Sequence, residues 1–182
     1  DINELIYHYR FITMDFSHIK IGLALAMLSI LFGGLLGLSF GCCEDFYKDT
    51  FKENANSVLE EKYKNDQSKA NKVTKKSWVY MKRAHLHSLT MGVISIVLSL
   101  IAAGLAFPPI IQTSIAFLSG LGSIGYGIFW LLAGFLAPSM GSTGIAKETV
   151  GLLAQASTLF FMIAAIGLFC MFTYRVFILK KN

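Results

Sequence analysis

Residues 82–107 read KRAHLHSLTMGVISIVLSLIAAGLAF, and the fold turns on this stretch. Two cations open it, and two of the chain's four histidines follow at positions 85 and 87. From Ala84 onward no Asp, Glu, Lys or Arg interrupts it. A helix needs about 20 mostly apolar residues to cross a hydrocarbon layer of about 30 Å. The run after His85 is that long, so a solvated segment enters a bilayer here. The two histidines at the point of entry either hold a metal or haem, or anchor a helix end.

Working outward, three further segments pass the same length test. The four expected spans are 19–41, 86–107, 109–137 and 149–178. Phe107-Pro108-Pro109 makes the second connection a tight turn, and proline suits the first turn of the third helix, where its missing N–H is not needed. The short linker 138–148, PSMGSTGIAKE, is rich in Gly and Ser and makes helices three and four neighbours. Composition agrees: 54% of the 182 residues are hydrophobic, the mean hydropathy is +0.58 and only 15% are charged. Soluble domains carry about 25% charged residues. The net charge of +5 resides beside apolar runs, where it marks topology and lipid headgroups rather than a nucleic-acid partner. No cleavable signal peptide is evident, and the three cysteines form no disulfide framework.

The first connection differs in kind. Residues 42–83 hold ten Lys/Arg and seven Asp/Glu. The expectation for 42–85 is a charged extramembrane loop of short solvated or interfacial helices, too poor in apolar residues to bury a core. Residues 1–18 carry Ile2, Leu5, Ile6, Tyr9, Ile12 and Phe16 at helical spacing and read as an interfacial amphipathic helix. The fold expected is therefore all-α: an integral membrane four-helix bundle behind that interfacial helix, placed in a bacterial inner membrane. Ten basic residues in the loop, with Lys147, stand against five on the other side, yet the loop is also dense in acids, so orientation stays open.

Up-and-down threading decides which polar groups can meet. His18 and His85 fall at opposite faces of the hydrocarbon, about 30 Å apart. Cys42, Cys43, Glu44, Asp45, Met140 and Glu148 belong to the side of His85 and His87. Imidazole with thiolate suits zinc, copper or iron, and a thioether favours Cu(I). The expected metal ligands are accordingly His85, His87, Cys42, Cys43 and Met140. On a helix, however, residues i and i+2 point about 200° apart. The histidines chelate one ion only if the helix start is frayed. Otherwise one faces the bundle, and depth favours His87, whose ring could ligate a haem iron between helices. The competing reading is interfacial anchoring, with imidazole and Arg83 meeting lipid phosphate.

The segment RAHLHSLTMGVISIVLSLIAAGL also resembles the second helix of haem-copper oxidase and nitric oxide reductase catalytic subunits, in which a histidine near the helix start ligates haem. The preceding LAMLSILFGGLLGLSF is similar to that family's first helix, which often ends in a Gly-rich turn. The resemblance covers helices one and two. The family's copper histidines come from later helices that have no counterpart in this sequence. The resemblance therefore implies haem binding through His85 or His87 near the outer face, and not oxygen or nitric oxide reduction.

GLGSIGYG at 120–127 contains a literal Gly-x-Gly-x-x-Gly, but inside an uncharged membrane run it lacks the strand and turn that a dinucleotide site requires. Ser119, Ser123 and Gly127, like Gly33 and Gly37, instead follow the small-xxx-small spacing that lets helix backbones approach, within the bundle or between protomers. Tyr126, Trp130, Gln155 and Thr158 could line a polar seam. The bland roles are lipid or core packing for Trp130 and an interhelical hydrogen bond for Gln155. Cys170 reads as a small buried hydrophobe. The spans contain no Asp and no nucleophile with a base beside it, which disfavours hydrolysis and active transport. The leading expectation is a non-catalytic protein binding haem b or a copper, zinc or iron ion, in electron transfer or metal handling with other membrane subunits. The alternative is a cofactor-free accessory subunit or homo-oligomer.

Overall fold

The structure is a computed structural model and describes residues 16–105 and 107–178. Over these residues the chain is all-α: α1 Lys20–Asn56, α2 Leu59–Tyr63, α3 Gln67–Gly104, α4 Pro109–Met140, α5 Thr143–Thr149 and α6 Gly151–Thr173, which runs into a π-helical turn, Tyr174–Ile178. Among the described residues four helices are long and apolar enough to cross a bilayer, as in an integral membrane protein. The interfacial helix expected over 1–18 lies, apart from its last three residues, outside the described residues.

The ends follow local chemistry. Pro108 and Pro109 open α4, and Gly141, at φ 69, closes it in the left-handed conformation that glycine adopts without a Cβ penalty. Asp66 caps α3 by accepting from the Lys69 N–H at 2.9 Å. Ser142 caps α5 in the same way, accepting from Gly144 and Ile145.

α1 and α3 do not stop where their apolar runs stop. At 37 and 38 residues each is about 55 Å long by the 1.5 Å rise per residue, some 25 Å more than a hydrocarbon core. The segment 42–85 is therefore not a loop of short helices. It is a helical hairpin, 44–56 and 67–83, continuing both spans into water and closed by α2.

That cap does bury a core, contrary to the expectation from its composition. Phe51, Ala55, Tyr63, Ala70 and Met81 are each at most 1% exposed. The missing wall comes from α4, whose 32 residues also overshoot the bilayer. Phe135 packs edge-on against Phe51 at 5.6 Å. Gly134 lies against Met81 and the Ser77 backbone, and the Pro138 carbonyl accepts from the Tyr63 hydroxyl at 2.7 Å. An apolar tail that counts as membrane by hydropathy is thus the hydrophobic partner of a charged hairpin.

α4 is the centre of the bundle. Its apolar window is 56% buried, against 22, 28 and 17% for the windows of α1, α3 and α6. Small residues permit this. A Cβ on Gly127 would overlap the Ser88 hydroxyl, one on Gly122 the Ser157 backbone, and one on Gly120 the Gly22 carbonyl. Ser119 and Ser123 are fully buried, with the Ser119 carbonyl accepting from Ser95 of α3 at 2.9 Å. Gly33 meets the backbone of α3 at His85 and Leu89. Of the two uses open to these small residues, packing within the bundle is the one realised.

Candidate functional site

The helix is fully formed at residues 82–92, so the histidines point to different neighbours. His85 faces α1, where its Nδ1 lies 2.7 Å from the Gly33 carbonyl oxygen. A carbonyl only accepts, so Nδ1 carries the proton and donates. The ring edge bearing both nitrogens fits the notch left by Gly37, where a Cβ would collide with it, and Phe40 closes the side at 6.2 Å. His85 is a bridge between α1 and α3, with its coordinating edge turned onto backbone.

His87 faces α4. Its ring meets Tyr126 edge-on at 5.1 Å and stacks on Trp130 at 6.1 Å and 17°. It is half-buried, and its ring nitrogens have no protein hydrogen-bond partner among the described residues. One turn toward the cap, the Arg83 guanidinium lies over Trp130 at 4.7 Å and over Tyr80 at 5.6 Å. These distances are typical of cation–π contacts.

Tyr126 and Trp130 also line a lateral cleft of about 750 Å³ with Phe129, Lys147, Gln155, Thr158, Leu159 and Met162. It is shallow and largely open rather than enclosed. The cleft opens toward lipid, since Leu159 and Met162 remain 57 and 45% exposed. All four residues of the expected polar seam, Tyr126, Trp130, Gln155 and Thr158, meet here. The indole N–H of Trp130 is buried without a partner among the described residues. Arg83 and Lys147 delimit the uncharged run 84–146 and so mark the headgroup level. Sequence reasoning gave Lys147 no place in a site and missed Met162. Their signal was helical phase relative to Gln155 and Thr158, visible only once α5 and α6 are positioned.

The other expected ligands do not join this site. Cys42 and Cys43 are exposed, and their sulfurs lie 2.6 Å apart because the backbone leaves helical geometry at Cys43 (φ −135°, ψ 30°). They stand five and six residues beyond Gly37, about 8 Å further toward the cap than His85 by the helical rise. Met140 lies ten residues beyond Trp130, about 15 Å along α4, with its sulfur 3.7 Å from the Thr149 hydroxyl. Among the described residues no three His, Cys, Asp or Glu side chains gather as a metal site. Cys170 is exposed rather than buried. No known protein family, curated protein or solved structure matches the chain.

Proposed function

We propose that the chain is a non-catalytic membrane protein that binds haem b at the lateral cleft, with His87 as the iron ligand, and serves electron transfer within a larger membrane assembly. One observation carries this reading. Among the described residues, of the two histidines only His87 keeps both ring nitrogens unpartnered, and it stands beside an open aromatic cleft. Tyr126, Phe129 and Trp130 would face the macrocycle, and Met162 supplies a thioether on the opposite helix. A haem there would supply one-electron redox chemistry. His85 serves the bundle, and a bare-metal site built from His85, His87, Cys42, Cys43 and Met140 has no support from their placement. The test is a titration of the purified protein with haem b. The expected result is a saturable Soret band that persists in His85→Ala and disappears in His87→Ala. No Soret band at stoichiometric haem, or an unaltered one in His87→Ala, would refute the reading.

A cofactor-free accessory subunit is the second reading. It is favoured by the leucine stripe on α1, where Leu28, Leu31, Leu35 and Leu38 are 50–72% exposed. Such a face suits a partner helix as well as lipid. Its signature is co-purification with larger membrane subunits by a protein without visible absorption.

A further inference from the structure

The cleft holds more hydrogen-bonding capacity than the protein uses. Among the described residues Arg83 engages only aromatic faces, which leaves the donor edge of its guanidinium open. Lys147 makes no ion pair, and Gln155, Thr158 and the Tyr126 hydroxyl make no hydrogen bond, among the described residues. The sixth such group, the Trp130 N–H, belongs to a side chain only 8% exposed. Arg83, Lys147, Gln155 and Thr158 are exposed, whereas the buried Trp130 N–H, left unpaired at membrane depth, costs several kcal/mol and so requires a partner. Every one of these groups can donate, and two are cations. Their complement is an anion with several acceptor oxygens.

Depth gives that anion an apolar body. Lys147 lines the cleft at its headgroup end and Arg83 lies beside it over the Trp130 ring, whereas Leu159 and Met162 lie two and three turns into α6. We infer that Arg83 and Lys147 form the mouth of the cleft and take the acidic group, carboxylate or phosphate, of an amphiphile whose apolar part lies against Leu159 and Met162. The inference rests on the cleft being the working site but not on the ligand being haem. Haem b carries two carboxylates and belongs to the class, as does an anionic phospholipid.

The test uses the full chain in nanodiscs with four probes: haem b, its dimethyl ester, phosphatidylglycerol and phosphatidylcholine. Variants are Arg83→Gln, Lys147→Gln, their double, and Lys147→Arg as the charge-preserving control. Charge-assisted hydrogen bonds lead us to expect about a tenfold loss of haem b affinity per charge removed, with the ester unaffected and Lys147→Arg near the parent. Phosphatidylglycerol should be retained over phosphatidylcholine by the parent and not by the double variant. If haem b fails to bind while that lipid selectivity is present and lost in the double variant, the acidic-head site stands and the haem reading falls. The site itself is overturned if the double variant binds haem b and phosphatidylglycerol like the parent, or if the parent binds neither haem b nor phosphatidylglycerol over phosphatidylcholine.

Discussion

The two halves of this bundle are built from the same three helices by opposite means. Within the hydrocarbon, α1, α3 and α4 meet through Gly22, Ser29, Gly33, Ser88, Gly92, Ser95, Ser119, Gly120 and Gly127. In the cap they meet through Phe51, Tyr80, Met81 and Phe135, with Tyr63 of α2 closing the end. The surrounding solvent explains the change. Lipid tails are as apolar as leucine, so burying a large side chain there gains little, and close approach of backbones is what holds helices together. In water, removal of apolar area is the dominant favourable term. The switch from small to large residues along one helix pair therefore marks the membrane surface from inside the protein.

The largest expected effect tests the cap. Phe51 is fully buried between α1, α3 and α4, so Phe51→Ala should destabilise the cap by about 3–5 kcal/mol. Hydrogen exchange should rise in 44–56 and 67–81 while residues 86–104 stay protected. Equal loss of protection in both halves would show that they unfold as one unit and would break the distinction.

Next comes a test of the membrane half. A Cβ on Gly120 would lie 2.6 Å from the Gly22 carbonyl oxygen, a backbone atom that cannot rotate away. Gly120→Val should cost about 1–3 kcal/mol by forcing α1 and α4 apart. The control is Gly34→Val, since nothing lies within 4 Å of a Cβ at that position. Unfolding in mixed detergent should separate the two variants. Equal behaviour would mean that glycine content, rather than close approach, holds the seam.

The four spans were legible because hydropathy over 20 residues reports the solvent directly. Of the residues at small-xxx-small spacing, Gly33 lies against the α3 backbone, Gly37 against the His85 ring and Gly127 against the Ser88 hydroxyl. The cap core was not legible, since its apolar wall, 131–140, is far in sequence from the hairpin it covers, and hydropathy does not distinguish membrane from interior. At the candidate site, the 200° divergence of His85 and His87 followed from helix geometry. Which one stays available did not, because it depends on the notch at Gly37. The polar seam of Tyr126, Trp130, Gln155 and Thr158 was visible as residue types. The cations beside it, Arg83 and Lys147, are placed by two different helices, α3 and α5.

The smallest expected effect probes the joint between cap and span. Tyr63 donates to the Pro138 carbonyl at 2.7 Å, at a helix end where carbonyls lack intrahelical partners. Tyr63→Phe removes this bond, yet the Gly141 N–H still reaches the same oxygen at 3.4 Å, so the cost should be only about 1 kcal/mol. The variant also carries a pH signature. Burial pushes the Tyr63 phenol above its ordinary 10.0, so the folded cap favours the neutral, donating form. That contribution is fully present below the unfolded value near 10 and is lost as the pH rises through the higher folded value. Cap stability of the parent should therefore fall more steeply above about pH 10 than that of Tyr63→Phe. Parallel pH profiles for the two proteins would mean that the phenol is not held by α4, and that the joint rests on Phe51 and Phe135 alone.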